Sequence, residues 1–435
     1  MSLDFTMRYV ERLADRVASG VEFQKVTRLE DVLPASLERT GLNVRVPFCA
    51  AKCSYCAFPG ESYKNEYGKA FLDAVDEELA LYATYVDVKE VDRVYVSGGT
   101  PSLLHKELGQ LLDIVRSHFQ FHGKVAMEAG PADLSEEVLR SLRSNGVGQL
   151  SVGVQTFNER MLPFLGRMTK REQLIDVLRR VMDTGFDYVN IDLMFSLPTQ
   201  TLDELLQDLE TAADMGVHGI STYPLMLLPY TPLTKRSGQW EGQDAQAEKE
   251  QYLAIVDRMR SRGYKMRTLW SFSTRPEEYE GPYEHSHFVG IGPRAWGMIN
   301  NRFTLNAPST LDYIRRLSEG FLPIYAHSEV KGYPMAKLAR RLYYGKVTIP
   351  ELETLSAEDS KIGSYVSLLR LLGLMERKDE EFVLTDKALA YASVATKKIA
   401  MSTLAKMNEV LVQNGQDEGE ATANQEQPVA VIVPE

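Results

Sequence analysis

Between about residues 40 and 300 the chain alternates short apolar runs with longer amphipathic segments, and that alternation restricts the folds open to it. Runs of this kind read as strands buried on both faces, and the segments between them are long enough to cross back over a parallel sheet. Strands are expected at Asn43–Pro47, Arg93–Ser97, Lys124–Glu128, Gln149–Gly153, Tyr188–Met194 and Gly219–Tyr223. The helices that follow them are expected at Lys69–Tyr85, Lys106–Phe119, Ser135–Asn145, Lys170–Thr184, Thr201–Met215 and Ala245–Gly263, several ending at or near glycine. The fold class is therefore α/β: six units make a partial (β/α)6 barrel, two short of the usual eight. Functional side chains in such barrels gather where the strands end.

The rest of the chain reads differently. Residues 1–40 form an N-terminal helical extension, 41–300 the barrel with its C-terminal elaboration, 301–412 a small helical domain and 413–435 a disordered tail. Within the helical domain, Gly373–Lys378 and Phe382–Thr385 interrupt short helices as a two-stranded wing would, which gives it winged-helix character. Mixed acidic and basic residues there favour a packing lid over nucleic-acid recognition. The tail is rich in Gln, Glu, Gly and Ala and lacks aromatics.

All three cysteines of the 435 residues fall within one stretch, Cys49-Ala-Ala-Lys-Cys53-Ser-Tyr-Cys56, directly after the first expected strand. Cys-x3-Cys-x2-Cys can give three thiolates to a [4Fe-4S] cluster and leave the fourth iron for a small molecule with amine and carboxylate arms, usually S-adenosylmethionine (SAM). The alternatives are ordinary buried cysteines or a zinc site. Structural zinc sites usually carry four ligands as two close pairs, and no histidine lies near the triplet in sequence. An odd number of cysteines in a chain of this size argues against a disulfide framework and for a reducing setting.

A net charge of −11 argues against a broad nucleic-acid-binding face. The N-terminus lacks a basic segment followed by an apolar run, and no stretch of about 18 apolar residues occurs, so neither export nor membrane insertion is expected. The expected location is the cytoplasm.

The cysteine motif and the words that follow it resemble the radical SAM superfamily and, within it, the oxygen-independent coproporphyrinogen III oxidase (HemN-like) family. Those words are Ser97-Gly-Gly-Thr-Pro-Ser102, Met127-Glu-Ala-Gly-Pro131, Leu150-Ser-Val-Gly-Val-Gln-Thr-Phe157, Leu165-Gly-Arg167, Asn190-Ile-Asp-Leu-Met-Phe-Ser-Leu-Pro198 and Phe288-Val-Gly-Ile-Gly292. The resemblance implies a cluster held by Cys49, Cys53 and Cys56, with Gly98, Gly99 and Thr100 at the methionyl end of SAM and Glu128 at the same SAM. It carries Gln155, Arg167 and Asp192 to positions lining the SAM sites, and Gly290 and Gly292 to a glycine word near a second SAM or the substrate. Glu128 could instead cap a helix, Arg167 and Asp192 could form a structural ion pair, and the late glycines could be a plain turn.

Departures from the family bear on the reaction. Its usual Tyr-x-His-Ile-Pro lead is Asn43-Val-Arg-Val-Pro47 here, and the oxidases' further cysteine, two residues after the third, is Phe58. The haem-chaperone word His-Asn-x-x-Tyr-Trp is replaced by Glu280-Gly-Pro-Tyr-Glu-His-Ser-His287. The reading these departures favour is an enzyme that uses two SAM molecules and moves a methyl or methylene group onto an unsaturated carbon. Oxidative decarboxylation, haem-ring opening and non-catalytic haem binding are the alternatives. A small-molecule substrate and a one-electron donor such as flavodoxin or ferredoxin are the partners implied, with no nucleic acid and no membrane. No residue is assigned a catalytic proton- or hydrogen-transfer role, and His285 and His287 fit a loop surface better than a haem site.

Overall fold

The computed structural model describes residues 3–26, 28–58, 60–236, 245–278 and 287–423. All six expected strands form: β1 Thr40–Val46, β2 Val91–Gly98, β3 Phe121–Ala129, β4 Val147–Gln155, β5 Tyr188–Phe195 and β6 Gly219–Pro224. They lie side by side in chain order and every adjacent pair is parallel. Val44, Val46, Val94, Leu150, Val152, Ile191 and Leu193 are buried in one continuous core with Leu72, Leu79, Leu111, Leu178 and Leu209 from the crossover helices. That burial against helices is why these strands read as apolar runs.

The helices between them span Asn65–Tyr85, Leu108–His118, Glu136–Ser144, Arg171–Asp183, Leu202–Asp214 and Ala245–Ser261. Ser135 caps one by accepting from Val138 N at 3.3 Å, and Thr201 with Glu204 forms a capping box on another. Gly185 and Gly216 take the left-handed conformation just past two helix ends, as glycine does at such stops.

The sheet extends at both ends. Strand β7 (Phe288–Ile291) pairs parallel with β1, and β8 (Trp296–Ile299), β9 (Arg302–Asn306) and β10 (Ile324–Glu329) continue it antiparallel. On the far side Ser271–Ser273 pairs antiparallel with β6. The domain boundary expected at residue 300 therefore falls in the turn of a hairpin inside the sheet. Short strands joined by Asn300-Asn301 offer little periodicity, and their pairing depends on β7 docking beside β1.

Helices Tyr333–Tyr343, Ile349–Glu358 and Lys361–Leu371 pack with their own core of Leu338, Leu355, Ile362, Val366 and Phe382. The expected two-stranded wing, Met375–Lys378 against Glu381–Leu384, gains a third strand, Lys346–Thr348. A last helix, Asp386–Ala423, runs into the segment expected to be a tail, and residues 424–435 lie outside the described residues. Ala, Glu and Gln are good helix formers, so polarity alone does not end the helix at 412. This helix packs beside the N-terminal helix Leu3–Ser19, whose end is met by Lys406 Nζ donating to Ala18 O at 2.8 Å and Val21 O at 2.7 Å.

Candidate functional site

The period-two rule puts alternate residues of each strand on one face. With the observed registers, Asn43 and Arg45 of β1 face the same side as Tyr95 and Ser97, Glu128, Ser151 and Gly153, Asn190 and Asp192, and Ser221 and Tyr223. These are the polar interruptions of otherwise apolar strands, and they join into a layer. Ser97 Oγ donates to Asn43 Oδ1 at 2.8 Å and Tyr95 Oη to Glu128 Oε1 at 3.1 Å. Asn190 Nδ2 donates to Ser151 Oγ at 2.8 Å and to Asp192 Oδ1 at 3.0 Å, while Ser221 Oγ donates to Asn190 Oδ1 at 3.2 Å.

The cysteine loop sits where β1 ends. Phe48 anchors its start among the rings of Tyr63, Tyr67 and Phe71. Gly99 N donates to Val46 O at 2.8 Å and Thr100 N to Phe48 O at 2.6 Å, stitching the Gly98-Gly99-Thr100 turn to the loop. A Cβ on Gly99 would lie inside contact distance of Phe48 O and 2.9 Å from Cys49 Sγ; one on Gly60 would lie 2.5 Å from the same sulfur. Both positions therefore need glycine for the thiol to stand where it does. Ser54 ties the loop to the Leu165-Gly166-Arg167 word: its Oγ donates to Phe164 O at 2.7 Å and its N to Leu165 O at 3.2 Å.

The three thiols are free and half-buried. Burial pushes the Cys49 thiol up, against the Gly60 N–H and the Thr100 side chain; it also pushes Cys56 up, against Phe58 N at 3.3 Å and the Arg45 charge. Iron would reverse this, because thiolate ligation displaces the proton. Among the described residues no three His, Cys, Asp or Glu side chains converge as tightly as one metal ion needs. Thiolates that each bind a different iron of a cube need no such convergence. The glycine cradle at Cys49, together with the buried, unpartnered Nε atoms of Arg45 and Arg167 near the sulfurs, fits a [4Fe-4S] group with a charged ligand beside it.

Glu128, Gln155, Arg167 and Asp192 come together next to that loop. Arg167 Nη2 donates to Tyr55 Oη at 2.9 Å inside the cysteine loop. Burial pushes Asp192 up to about 7, helped by the Glu128 carboxylate and opposed by Asn190, Ser151 and Arg167. Glu128 is raised as well, again chiefly by burial. Two half-buried carboxylates that each disfavour the other's charge make a place where a cationic ligand is welcome. Gln155 is buried with φ at 72°, beyond a bulge where β4 carries an extra residue against Asp192 and Leu193. Its conformation is held by Asp208 of the helix Leu202–Asp214, whose carboxylate accepts from Thr156 Oγ1 at 2.5 Å and Phe157 N at 2.9 Å.

Gly290 and Gly292 lie apart from this group, at the end of β7 on the other side of β1. Gly292, with φ at 97°, would press a Cβ onto Arg45 O, and its N donates to Glu78 Oε2 at 2.8 Å. Glu78 is fully buried and also accepts from Asn306 Nδ2 at 2.9 Å and Tyr313 Oη at 2.7 Å, so it braces the turn. His287 Nδ1 accepts from Asn300 N at 3.0 Å, a turn contact, while His285 lies outside the described residues. Sequence reasoning missed Tyr55, Tyr95, Asn190, Asp208 and Glu78. Asp208 and Glu78 left a readable trace, each a carboxylate in an apolar helix stripe, the first among Leu205, Leu209 and Ala212 and the second among Val75, Leu79 and Tyr82.

Residues 43–212 match the radical SAM superfamily model. The heme chaperone HemW of Bacillus subtilis (strain 168) is 28% identical over 296 residues, 66% of this chain and 78% of that protein. The oxygen-independent coproporphyrinogen III oxidase of Escherichia coli (strain K12) is 25% identical over 309 residues, 64% of this chain and 65% of that protein. The solved structure of HemN from Escherichia coli superposes with a TM-score of 0.72 at 18% identity, covering 85% of this chain and 91% of that one, and so shares the fold. Among the described residues no helix is long and apolar enough to cross a membrane.

Proposed function

We propose, for a chain that carries a radical SAM domain and has HemN- and HemW-like relatives, that it is an enzyme which cleaves SAM at a [4Fe-4S] cluster held by Cys49, Cys53 and Cys56. The finer reading is that a second SAM donates a methyl or methylene group to an unsaturated carbon of the substrate. The observation that carries the proposal is the cysteine loop seated on the Gly98-Gly99 turn, with two mutually disfavoured carboxylates beside it. When bound, the cluster supplies one electron to the sulfonium of SAM, which parts into methionine and a hydrogen-abstracting 5′-deoxyadenosyl radical.

The chain's own residues bind and orient. The Gly98 and Gly99 backbone leaves room for the methionyl end, with the Thr100 hydroxyl beside Cys49. Arg167, anchored on Tyr55, offers a planar fork to a carboxylate. Glu128 and Asp192 together suit a sulfonium or ammonium, since a cation between them lets both ionise. Gln155, held in its left-handed conformation, presents an amide to the same space. A flavodoxin- or ferredoxin-like donor would supply the electron.

The names of the relatives favour a tetrapyrrole as the substrate class, since haem and coproporphyrinogen III are both tetrapyrroles with carboxylate side chains. They also favour a second reading, haem binding without SAM turnover. The test is anaerobic reconstitution with iron and sulfide, then incubation with SAM and dithionite, with and without haem, coproporphyrinogen III or an olefinic acceptor. 5′-Deoxyadenosine with acceptor-dependent S-adenosylhomocysteine is the expected result. Deoxyadenosine alone would point to dehydrogenation, and haem binding by a cluster-loaded protein that forms neither product would replace the enzyme reading with the second.

A further inference from the structure

A cavity of about 230 Å³ opens behind the cysteine loop, between the ends of the neighbouring parallel strands β1 and β7. Arg45, Lys52 and Arg294 line it, with Glu61 and Ser309. It is smaller than the roughly 300–1,000 Å³ of sites that enclose a whole drug-sized ligand, so it suits one arm of a larger molecule.

Its charges are incomplete. Arg45 is 8% exposed; its guanidinium lies over the Phe58 ring, 5.1 Å from the centroid, with Nη2 donating to Phe58 O at 3.3 Å and Nε without a partner. Arg294 spends its Nε on Pro308 O. Neither guanidinium makes an ion pair among the described residues; burial and the Arg294 charge disfavour the Arg45 charge against the pull of Cys56, Glu128 and Cys49, and burial disfavours the Arg294 charge against the pull of Glu61. Glu61 stands nearby, but it is exposed and its Oε1 accepts from Thr310 N at 3.1 Å. A buried arginine facing a second arginine is costly unless an anion joins them. The backbone at Arg294 adds an independent sign, since its φ of 55° is left-handed without glycine's freedom. Such a conformation persists where the side chain is needed, and glycine would relieve it.

We propose that this cavity is a carboxylate subsite, in which Arg45 and Arg294, with Lys52 at the rim, take an aliphatic carboxylate arm of the molecule that reacts at the cysteine loop. The proposal rests on the radical SAM reading and names a feature of its substrate. An arm held there would leave the body of a carboxylated tetrapyrrole toward the Glu128–Asp192 face, on the other side of β1. The same chemistry could come from the methionyl carboxylate of SAM, and the experiment separates the two sources.

The test uses the reconstituted full chain, with binding followed by fluorescence for coproporphyrin III and for its tetra-amide, and SAM retention followed by equilibrium dialysis. The variants are Arg294→Gly, which the left-handed backbone accommodates, and Arg45→Met, which removes a buried charge without opening a hole. Wild type should prefer the acid by about tenfold or more, the worth of one charge-assisted hydrogen bond. Collapse of that preference in both variants assigns the subsite to the substrate arm. An intact preference with about tenfold weaker SAM retention assigns it to the methionyl carboxylate. If both variants match wild type in both measurements, the proposal is overturned. Formation of 5′-deoxyadenosine by wild type without a porphyrin is recorded separately, so a failure of the radical SAM reading is seen as such.

Discussion

Replacing Gly99 by alanine tests the seating of the cysteine loop directly. The new methyl group would collide with the carbonyl of Phe48 and stand 2.9 Å from Cys49 Sγ, well inside a real contact. Relief requires the turn and the loop to part, which opens the bonds Gly99 N to Val46 O and Thr100 N to Phe48 O. Two backbone hydrogen bonds at about 1 kcal/mol each, with about 1–3 kcal/mol for overpacking, give a local cost of roughly 3–5 kcal/mol. The loop can move away without opening the core beneath β1 and β2, so the loss should appear in cluster loading more than in global unfolding. After anaerobic reconstitution, iron and sulfide per chain and the cluster's visible absorption should fall severalfold in Gly99→Ala, with a smaller shift in the urea midpoint. Gly363→Ala is the control: it lies in the helix Lys361–Leu371 with only Ser356 Oγ near, at 3.6 Å, and should gain up to about 1 kcal/mol with full cluster loading. A Gly99→Ala protein that loads a full cluster and cleaves SAM at the wild-type rate would refute the seating argument.

Burial holds the Glu78 carboxyl at about 7, above its ordinary 4.5. The folded chain therefore binds more protons than the unfolded one across that window, and stability falls as pH rises from about 4.5 to 7, by about 3 kcal/mol from this group. Glu78→Leu removes that share of the slope and strands three donors, lowering stability by about 3 kcal/mol or more; urea titrations at pH 5 and 8 check both, and an unchanged slope would count against the assignment. Lys397 Nζ lies 2.5 Å from Glu248 Oε2, with side chains 20% and 5% exposed, so Lys397→Met should cost about 3–5 kcal/mol and the further change Glu248→Gln should recover part of it. Recovery of nothing in that double variant would show that the charge left behind was not the cause. Asp192 also has a raised folded pKa, about 7 against 3.8, so its share of stability declines as pH rises through that range. Asp192→Asn should flatten that part of the profile and weaken SAM retention at pH 8 by about tenfold; equal retention would remove Asp192 from the SAM site.

The six parallel strands and their helices were legible because burial on both faces leaves an unbroken apolar run, and each helix carries its period in adjacent residues. The cysteine loop was legible for the same local reason, three thiols within eight positions. The strand Lys346–Thr348 was not, because three residues are too few to show alternation. The hairpin β8–β9 extends the sheet because β7 docks beside β1, a pairing that no local pattern announces.

What the sequence determined by itself is the kind of chemistry, a thiol-rich loop at the end of the first strand of a parallel α/β sheet. The tertiary structure alone decided what surrounds that loop. Tyr55 meets Arg167 across 112 residues, Glu78 meets Gly292 across 214, and Arg45 faces Arg294 only because β7 lies beside β1. Tyr55 and Arg294 look ordinary in their own segments. Their roles come from distance and desolvation, which exist only once the strands are in register and water has been excluded between them.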